Sequence, residues 1–227
     1  MKLNIAYLGR IEYDEALKIQ EALLRLRIEG KADDFLLLLE HPPVLTLGRR
    51  GEYSNIKASR EELEANGVRI FEINRGGDVT YHGPGQLVGY PIINISNFEK
   101  DVRRFVLNLE EIFIRLLKEK YGVNAGRGEG KYTGVWVDNE KITAIGIAVK
   151  RWVTMHGFAF NINTDLSHFN WIVPCGLSDR GITSLSKLTG SVMDFNKASE
   201  EVAGYFCEIF GFEPVILDKN EILNIPL

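Results

Sequence analysis

The stretch "FLLLLEHPP", Phe35 to Pro43, limits most what this chain can become. Apolar residues run from Phe35 to Leu39 without a polar break, and two prolines follow. An alternating strand can leave one face in water, whereas a continuous apolar strand has to be covered on both. The run is far too short to cross a bilayer. It predicts a strand buried on both faces.

Around this run the periodicity keeps changing. "LNIAYLG" reads as a strand, and Tyr13, Ala16, Leu17, Leu23, Leu24 and Ile28 recur at helical spacing, predicting an amphipathic helix over 11–29. "VLTLG" and "VRIFEIN" read as short strands. Between them, Ser59 and Glu62 stand at capping-box spacing and Gly67 closes a short helix. The best helix is marked by Val102, Phe105, Val106, Leu109, Ile112, Phe113, Leu116 and Leu117, with Gly122 as its stop. "QLVGYPIINI" is extended, "YTGVWVDNEKITAIGIAV" reads as two strands around Asp138-Asn139, and "VTMHGFAFNIN" follows as a third. Residues 163–190 form a long irregular segment, and long ordered loops tend to be functional. A helix over 197–210 and the strand "EPVIL" come last. Strands and helices mix without a regular βαβ repeat, which predicts an α+β fold or a mixed α/β sandwich. No linker divides residues 1–227, so one domain is expected, with the stretch after Lys187 a candidate for a small appended lobe.

Charge and cysteine usage exclude several classes. A net charge of −4 gives no global pull toward nucleic acid. The basic pairs Arg49-Arg50, Arg103-Arg104 and Lys150-Arg151 are either solvated surface or a docking patch for an acidic partner. Cys175 and Cys207 have no metal-ligand spacing, and no histidine pair has it either, so no metal is expected. The N-terminus carries acids where the apolar core of a secretion signal would lie. A reducing, cytoplasmic setting with two free thiols is the expectation.

The chemistry concentrates in "RGGDVTYHGPGQLVGYPI", residues 75–92. It has neither the lysine and hydroxyl of a nucleotide-phosphate loop nor a GxGxxG leading into a helix. Tight turns alone do not need Arg75, Asp78, Thr80, Tyr81, His82 and Gln86 among the glycines. Cys175, between Pro174 and Gly176 in the long loop, is a candidate nucleophile if a neighbour stabilises its thiolate. Cys207, on a helix among apolar residues, reads as core. Lys141, His82 and His156 are the candidate partners of Cys175. Lys141 opens an apolar strand, where a solvated end is the usual outcome; turned inward, it holds a thiolate by charge or takes its proton. His156 either shares a face with Phe158 and Phe160 or sits at a bulge near Gly157, and a hydrogen-bonded structural role is the commoner outcome there. His41 is ambiguous, and His168 reads as a loop residue.

Three blocks, "RGGDVTYHGPGQLVGYP", "KITAIGIAVKRWVTMHGFAFNI" and "PCGLSDRGITSL", closely resemble the lipoyl(octanoyl) transferase family, and "EHPPVLTLGRR" resembles its upstream motif. The likeness spans about Phe35 to Leu185. It implies the fold of biotin and lipoate protein ligases, a large mixed β-sheet flanked by helices plus a smaller sheet. It implies an acyltransferase that carries an octanoyl group from acyl carrier protein to a lysine of lipoyl domains, without ATP or another cofactor. Acceptors would be E2 subunits of 2-oxoacid dehydrogenases and the H protein of glycine cleavage. By the same resemblance Cys175 matches the acyl-thioester nucleophile, and Lys141 the lysine that lowers its pKa and assists proton transfer. Arg75, Gly76, Gly77, Asp78, Val79, Thr80, Tyr81 and His82 match the substrate-contacting loop, and Ala144, Ile145, Gly146, Gly157, Phe158 and Ala159 match further contacts. The small and apolar side chains of these strands suit an eight-carbon slot. The glycines of the loop are expected to pass close to the acyl thioester, with Arg75, Tyr81 and His82 as its polar edge. The competing reading is an ATP-dependent lipoate or biotin protein ligase on the same fold. A non-catalytic module that keeps only the acyl slot is weaker, because Cys175 and Lys141 are both present.

Overall fold

A computed structural model describes residues 1–98, 100–173 and 180–225. In chain order the elements are β1 (Lys2–Arg10), α1 (Tyr13–Ile28), β2 (Asp34–Glu40), β3 (Val44–Leu47), α2 (Arg60–Ala65) and β4 (Arg69–Glu72). There follow β5 (Val79–His82), β6 (Gln86–Ile92), α3 (Val102–Tyr121), β7 (Gly126–Arg127), β8 (Gly134–Val137) and β9 (Glu140–Lys150). The last are β10 (Val153–Asn161), β11 (Gly181–Ile182), α4 (Leu185–Thr189), α5 (Phe195–Phe210), β12 (Glu213–Ile216) and α6 (Lys219–Leu223).

Among the described residues a large mixed sheet runs in the order β12-β1-β2-β6-β10-β9-β8-β7, and β11 pairs with the start of β9. β1 is parallel to both β12 and β2, and the pairs from β2 through to β7 are antiparallel. The apolar run of β2 divides by parity, as a doubly buried strand must. Leu36 and Leu38 join the core that contains α3 and α5, while Phe35, Leu37 and Leu39 join the core under α1. Each fully buried side chain of this kind contributes about 1.5–3 kcal/mol of apolar burial.

The helices end where their capping residues dictate. Asp101 accepts the N–H groups of Arg103 and Arg104 at the start of α3, and Gly122 closes it at φ 66°. Phe105, Leu109, Ile112, Phe113, Leu116 and Leu117 face the core. Ser59 caps α2 by accepting the Glu62 N–H.

A second sheet of three strands has the order β4-β3-β5. Leu45, Leu47, Val79 and Tyr81 pack there with Leu63, Phe169 and Trp171. One expectation needs correction. The stretch after Lys187 is not a lobe of its own, because Val202, Phe206 and Phe210 of α5 belong to the main core and β12 extends the main sheet. The glycine-rich stretch contains a strand, β5, paired antiparallel with β3. No helix among the described residues is long and apolar enough to cross a membrane.

Candidate functional site

A cavity of about 420 Å³ opens where the loop before β5 lies over β9 and β10. That size is within the range of small-molecule sites, about 300–1,000 Å³. Ala144, Ile145 and Gly146 of β9 and Gly157, Phe158 and Ala159 of β10 line it. Arg75, Gly76, Gly77, Asp78, Val79, Thr80 and His82 form the facing wall, and Lys141 also reaches the cavity. Two residues singled out in the sequence are not among them. Tyr81 turns to the small-sheet core, against Phe169 and Trp171, and its hydroxyl hydrogen-bonds His168 Nδ1 at 2.8 Å. It is therefore not part of the polar edge. Cys175 lies outside the described residues.

Part of the glycine pattern answers to protein backbone. Gly76 N–H donates to Ile147 O at 3.0 Å, fastening the loop to β9. A Cβ on Gly146 would stand 2.7 Å from Gly76 O, and one on Gly48 would stand 2.6 Å from Gly77 O. No real side chain tolerates either distance, so both positions require glycine for the loop to lie down. Two close approaches of this loop are thus to protein backbone, at β9 and at the turn after β3.

Arg75 is buried, at 8% exposure. Its guanidinium donates to Thr46 Oγ1 and to the Thr46 carbonyl, each at 2.8 Å, and to Gly76 O at 3.0 Å. Asp78 accepts from Val79 N–H at 2.6 Å and from Asn55 Nδ2 at 2.7 Å. Both side chains shape the loop while facing the cavity.

Lys141 turns inward. It is 8% exposed, its Nζ donates to Thr133 O at 3.3 Å, and it lies 4.9 Å from the centre of the Trp136 ring. The Arg180 guanidinium stacks on the same ring at 4.9 Å and on Tyr132 at 4.0 Å. β11 delivers Ile182 beside Lys141 in register.

Three histidines are buried near the cavity. His41 Nδ1–H donates to Ile11 O at 2.8 Å, so its Nε2 accepts from the Tyr90 hydroxyl at 2.7 Å. The His41 and His82 rings lie 5.9 Å apart. His156 takes the bulge-like alternative, with φ 57°, and pairs through Nε2 with Asn74 Oδ1 at 3.0 Å. Its backbone N–H donates to Gln20 Oε1 at 2.8 Å. Burial pushes the pKa of His41 and of His156 down to about 4, and that of His82 down to about 3 with help from His41. The ordinary value is 6.5. Between those limits the unfolded chain binds more protons than the folded one, so stability falls as the pH falls. The folded protein is expected to lose on the order of 5 kcal/mol between pH 6.5 and 4 from these groups. Denaturant melts across that range check it, and a flat profile would show that the rings are not buried neutral.

Several lining residues carried no local signal. Tyr13 arrives from α1, Tyr90 from β6 and Val106 from α3, brought together only by the tertiary fold. Asn161 did carry one: it is a polar residue closing an apolar strand, two and four places from Ala159 and Gly157.

The family description "Lipoyl protein ligase A/B catalytic domain" fits residues 12–207. An octanoyltransferase of Caldicellulosiruptor bescii is 58% identical over 225 residues, covering 99% of this chain and 99% of the relative. One from Caldicellulosiruptor saccharolyticus is 56% identical, covering 99% and 96%. Among solved structures, a lipoate-protein ligase A bound with ATP superposes with a TM-score of 0.80 at 16% identity, covering 98% of this chain and 93% of that one. The biotin protein ligase of Aquifex aeolicus gives 0.52 at 16% identity, covering 92% and 69%. The fold is that of the lipoate and biotin protein ligases: the large mixed sheet with flanking helices, and the smaller sheet beside it.

Proposed function

Because the chain belongs to the octanoyltransferase family, an acyltransferase family of lipoate biosynthesis, we propose that it acts through an octanoyl thioester on Cys175, with acyl carrier protein as donor and a lipoyl-domain lysine as acceptor. The donor is already a thioester. Passing its acyl group to another thiol is near neutral, and passing it on to an amine is downhill, so the reaction needs no ATP. Cys175 thiolate attacks the carbonyl and the carrier's thiol leaves. The lysine amine then attacks the acyl-enzyme, the C–S bond breaks, and the proton lost by nitrogen ends on the departing sulfur.

The observation that carries this reading is Lys141. A buried ammonium shares one cavity with an apolar slot built from Ala144, Ile145, Gly157 and Phe158. A cation there favours a thiolate, and the slot suits an eight-carbon chain. Arg75 to His82 and the β9–β10 contacts are the proposed substrate wall, without Tyr81. Arg50 lines the cavity and is exposed, so the Arg49-Arg50 pair is the proposed seat of the acidic carrier protein. The acceptors are lipoyl domains of the 2-oxoacid dehydrogenase and glycine cleavage systems. Residues 1–227 act as one catalytic domain in the cytoplasm, where a free thiol stays reduced.

Incubation with octanoyl-carrier protein in the absence of ATP is expected to add one octanoyl mass, removable by hydroxylamine. A chain that stays unmodified, and transfers acyl groups only once ATP is supplied, is a ligase instead.

A further inference from the structure

The hydrogen bonds behind His82 run in one direction. The Thr183 carbonyl can only accept, so the 3.0 Å bond from Asn161 makes Nδ2 the donor. Asn161 Oδ1 then accepts from Gln86 Nε2 at 2.9 Å, and the same Nε2 donates to the Tyr81 carbonyl at 3.2 Å. Both amides are thereby assigned. Gln86 Oε1 faces His82 Nδ1 at 2.8 Å, so Nδ1 carries the hydrogen. A neutral imidazole holds only one, which leaves the lone pair on Nε2. Nε2 has no hydrogen-bond partner among the described residues, and His82 lines the cavity. Gln86 and Asn161 are buried, so turning either amide over would leave donors or acceptors face to face without water. The relay is anchored at its far end, where Thr183 N–H donates to the carbonyl of Lys141 at 3.0 Å.

Several other polar groups on the cavity wall only donate or are already engaged. Arg50, Arg75 and Lys141 only donate. Asp78 is engaged by Asn55 and Val79, and the Tyr90 hydroxyl donates to His41. At the second acyl transfer the nucleophile is an amine, whose N–H needs an acceptor if its lone pair is to point at the thioester carbon.

We propose that Gln86 and Asn161 are positioning residues that hold His82 as its Nδ1–H tautomer, so that Nε2 accepts an N–H of the attacking lysine amine. The role rests on the acyl-enzyme reading above. His82 stays neutral throughout. Nitrogen bonds to the thioester carbon, the C–S bond breaks and the proton passes to sulfur, so no further reagent is required.

Histidine-selective ¹⁵N labelling and long-range ¹⁵N–¹H NMR, with His82 assigned by its loss in His82→Gln, read which ring nitrogen is protonated. The proton is expected on Nδ1 in the wild type and largely on Nε2 in Gln86→Met. In single turnovers of preformed octanoyl-enzyme with a lipoyl domain, Gln86→Met and Asn161→Leu are expected to lose about 10- to 100-fold, the scale on which a metal-bound imidazole suffers when its orienting partner is removed. Acylation by octanoyl-carrier protein, in which the nucleophile is a thiolate with no N–H to accept, is expected to lose less than the second half-reaction. Equal slowing of both half-reactions, an unchanged second one, or a wild-type proton on Nε2 overturns the proposal. If a variant does not fold, the wild-type spectrum still decides the tautomer. A wild type that never becomes octanoylated overturns the acyl-enzyme reading instead, and the spectrum continues to test the relay.

Discussion

Cys175→Ala is expected to take up no octanoyl group from carrier protein and to lose about 10⁴-fold or more in transfer, the scale on which an enzyme misses its nucleophile. The chain has one other thiol. Cys207 is buried on α5 in the main core, and burial pushes its pKa up. A thiol in that setting is a poor nucleophile and has no route to a carrier-bound substrate. The two ends of the chain that flank Cys175 are tied to the cavity's surroundings. Val173 N–H donates to Asn55 O at 2.7 Å, and Asn55 in turn holds Asp78 of the cavity wall. Arg180 stacks on Trp136, the ring that also lies under Lys141. Intact mass after exposure to octanoyl-carrier protein is the measurement. A hydroxylamine-labile octanoyl adduct that survives in Cys175→Ala would move the nucleophile elsewhere, and unimpaired transfer without any adduct would replace the two-step route by direct attack.

Much of the scaffold was legible because burial writes parity into the sequence. Phe35 to Leu39 required two covered faces and has them, and the apolar spacing of α3 matched its buried stripe from Phe105 to the stop at Gly122, with Val106 partly buried and Val102, in the first turn, exposed. The division of the strands between two sheets was not legible from any local pattern. Val44–Leu47 is as apolar as β2, yet it pairs with β4 and β5, a choice made by tertiary packing. Dense glycine hid β5 by removing the alternation that would have revealed it. Once that strand is recognised, Tyr81 belongs with the small-sheet core and His82 with the cavity, one residue apart on opposite faces. The glycines were read as sites of close approach, and at Gly48 and Gly146 the approach is to the backbone of Gly77 and Gly76, since a sequence shows that space is needed and not what fills it. His41 just after β2, Tyr90 of β6 and Tyr13 of α1 meet only through the fold.

The second large effect is expected from Lys141→Met, which keeps the length of the side chain and removes its charge. The site is unusual for a lysine: 8% exposed, hydrogen-bonded to the Thr133 carbonyl and seated against Trp136. Glu110, buried on α3, accepts the Gly134 N–H at 2.9 Å, and its carboxyl is pushed up by burial and pulled back by that bond, by Arg127 and by Lys141. A thiolate at a few ångströms gains about 4 kcal/mol from such a charge at an effective dielectric constant near 20, before the cost of desolvation. Removing it is expected to raise the apparent pKa of Cys175 by about one to three units. Acylation at neutral pH is expected to slow by about 10²- to 10⁴-fold, the range in which a positioned acid–base group contributes. Thiolate absorbance against pH measures the first quantity and acylation rate against pH the second. The two curves discriminate between roles. If Lys141 only holds the thiolate, the gap between variant and wild type closes as the pH rises past the shifted thiol pKa, because hydroxide supplies what the charge no longer favours. If Lys141 also carries the proton to and from sulfur, the titration shifts but a rate deficit persists at high pH. A thiol titration and an acylation rate both unchanged in a folded Lys141→Met protein would leave Lys141 as a structural cation of the Trp136 wall.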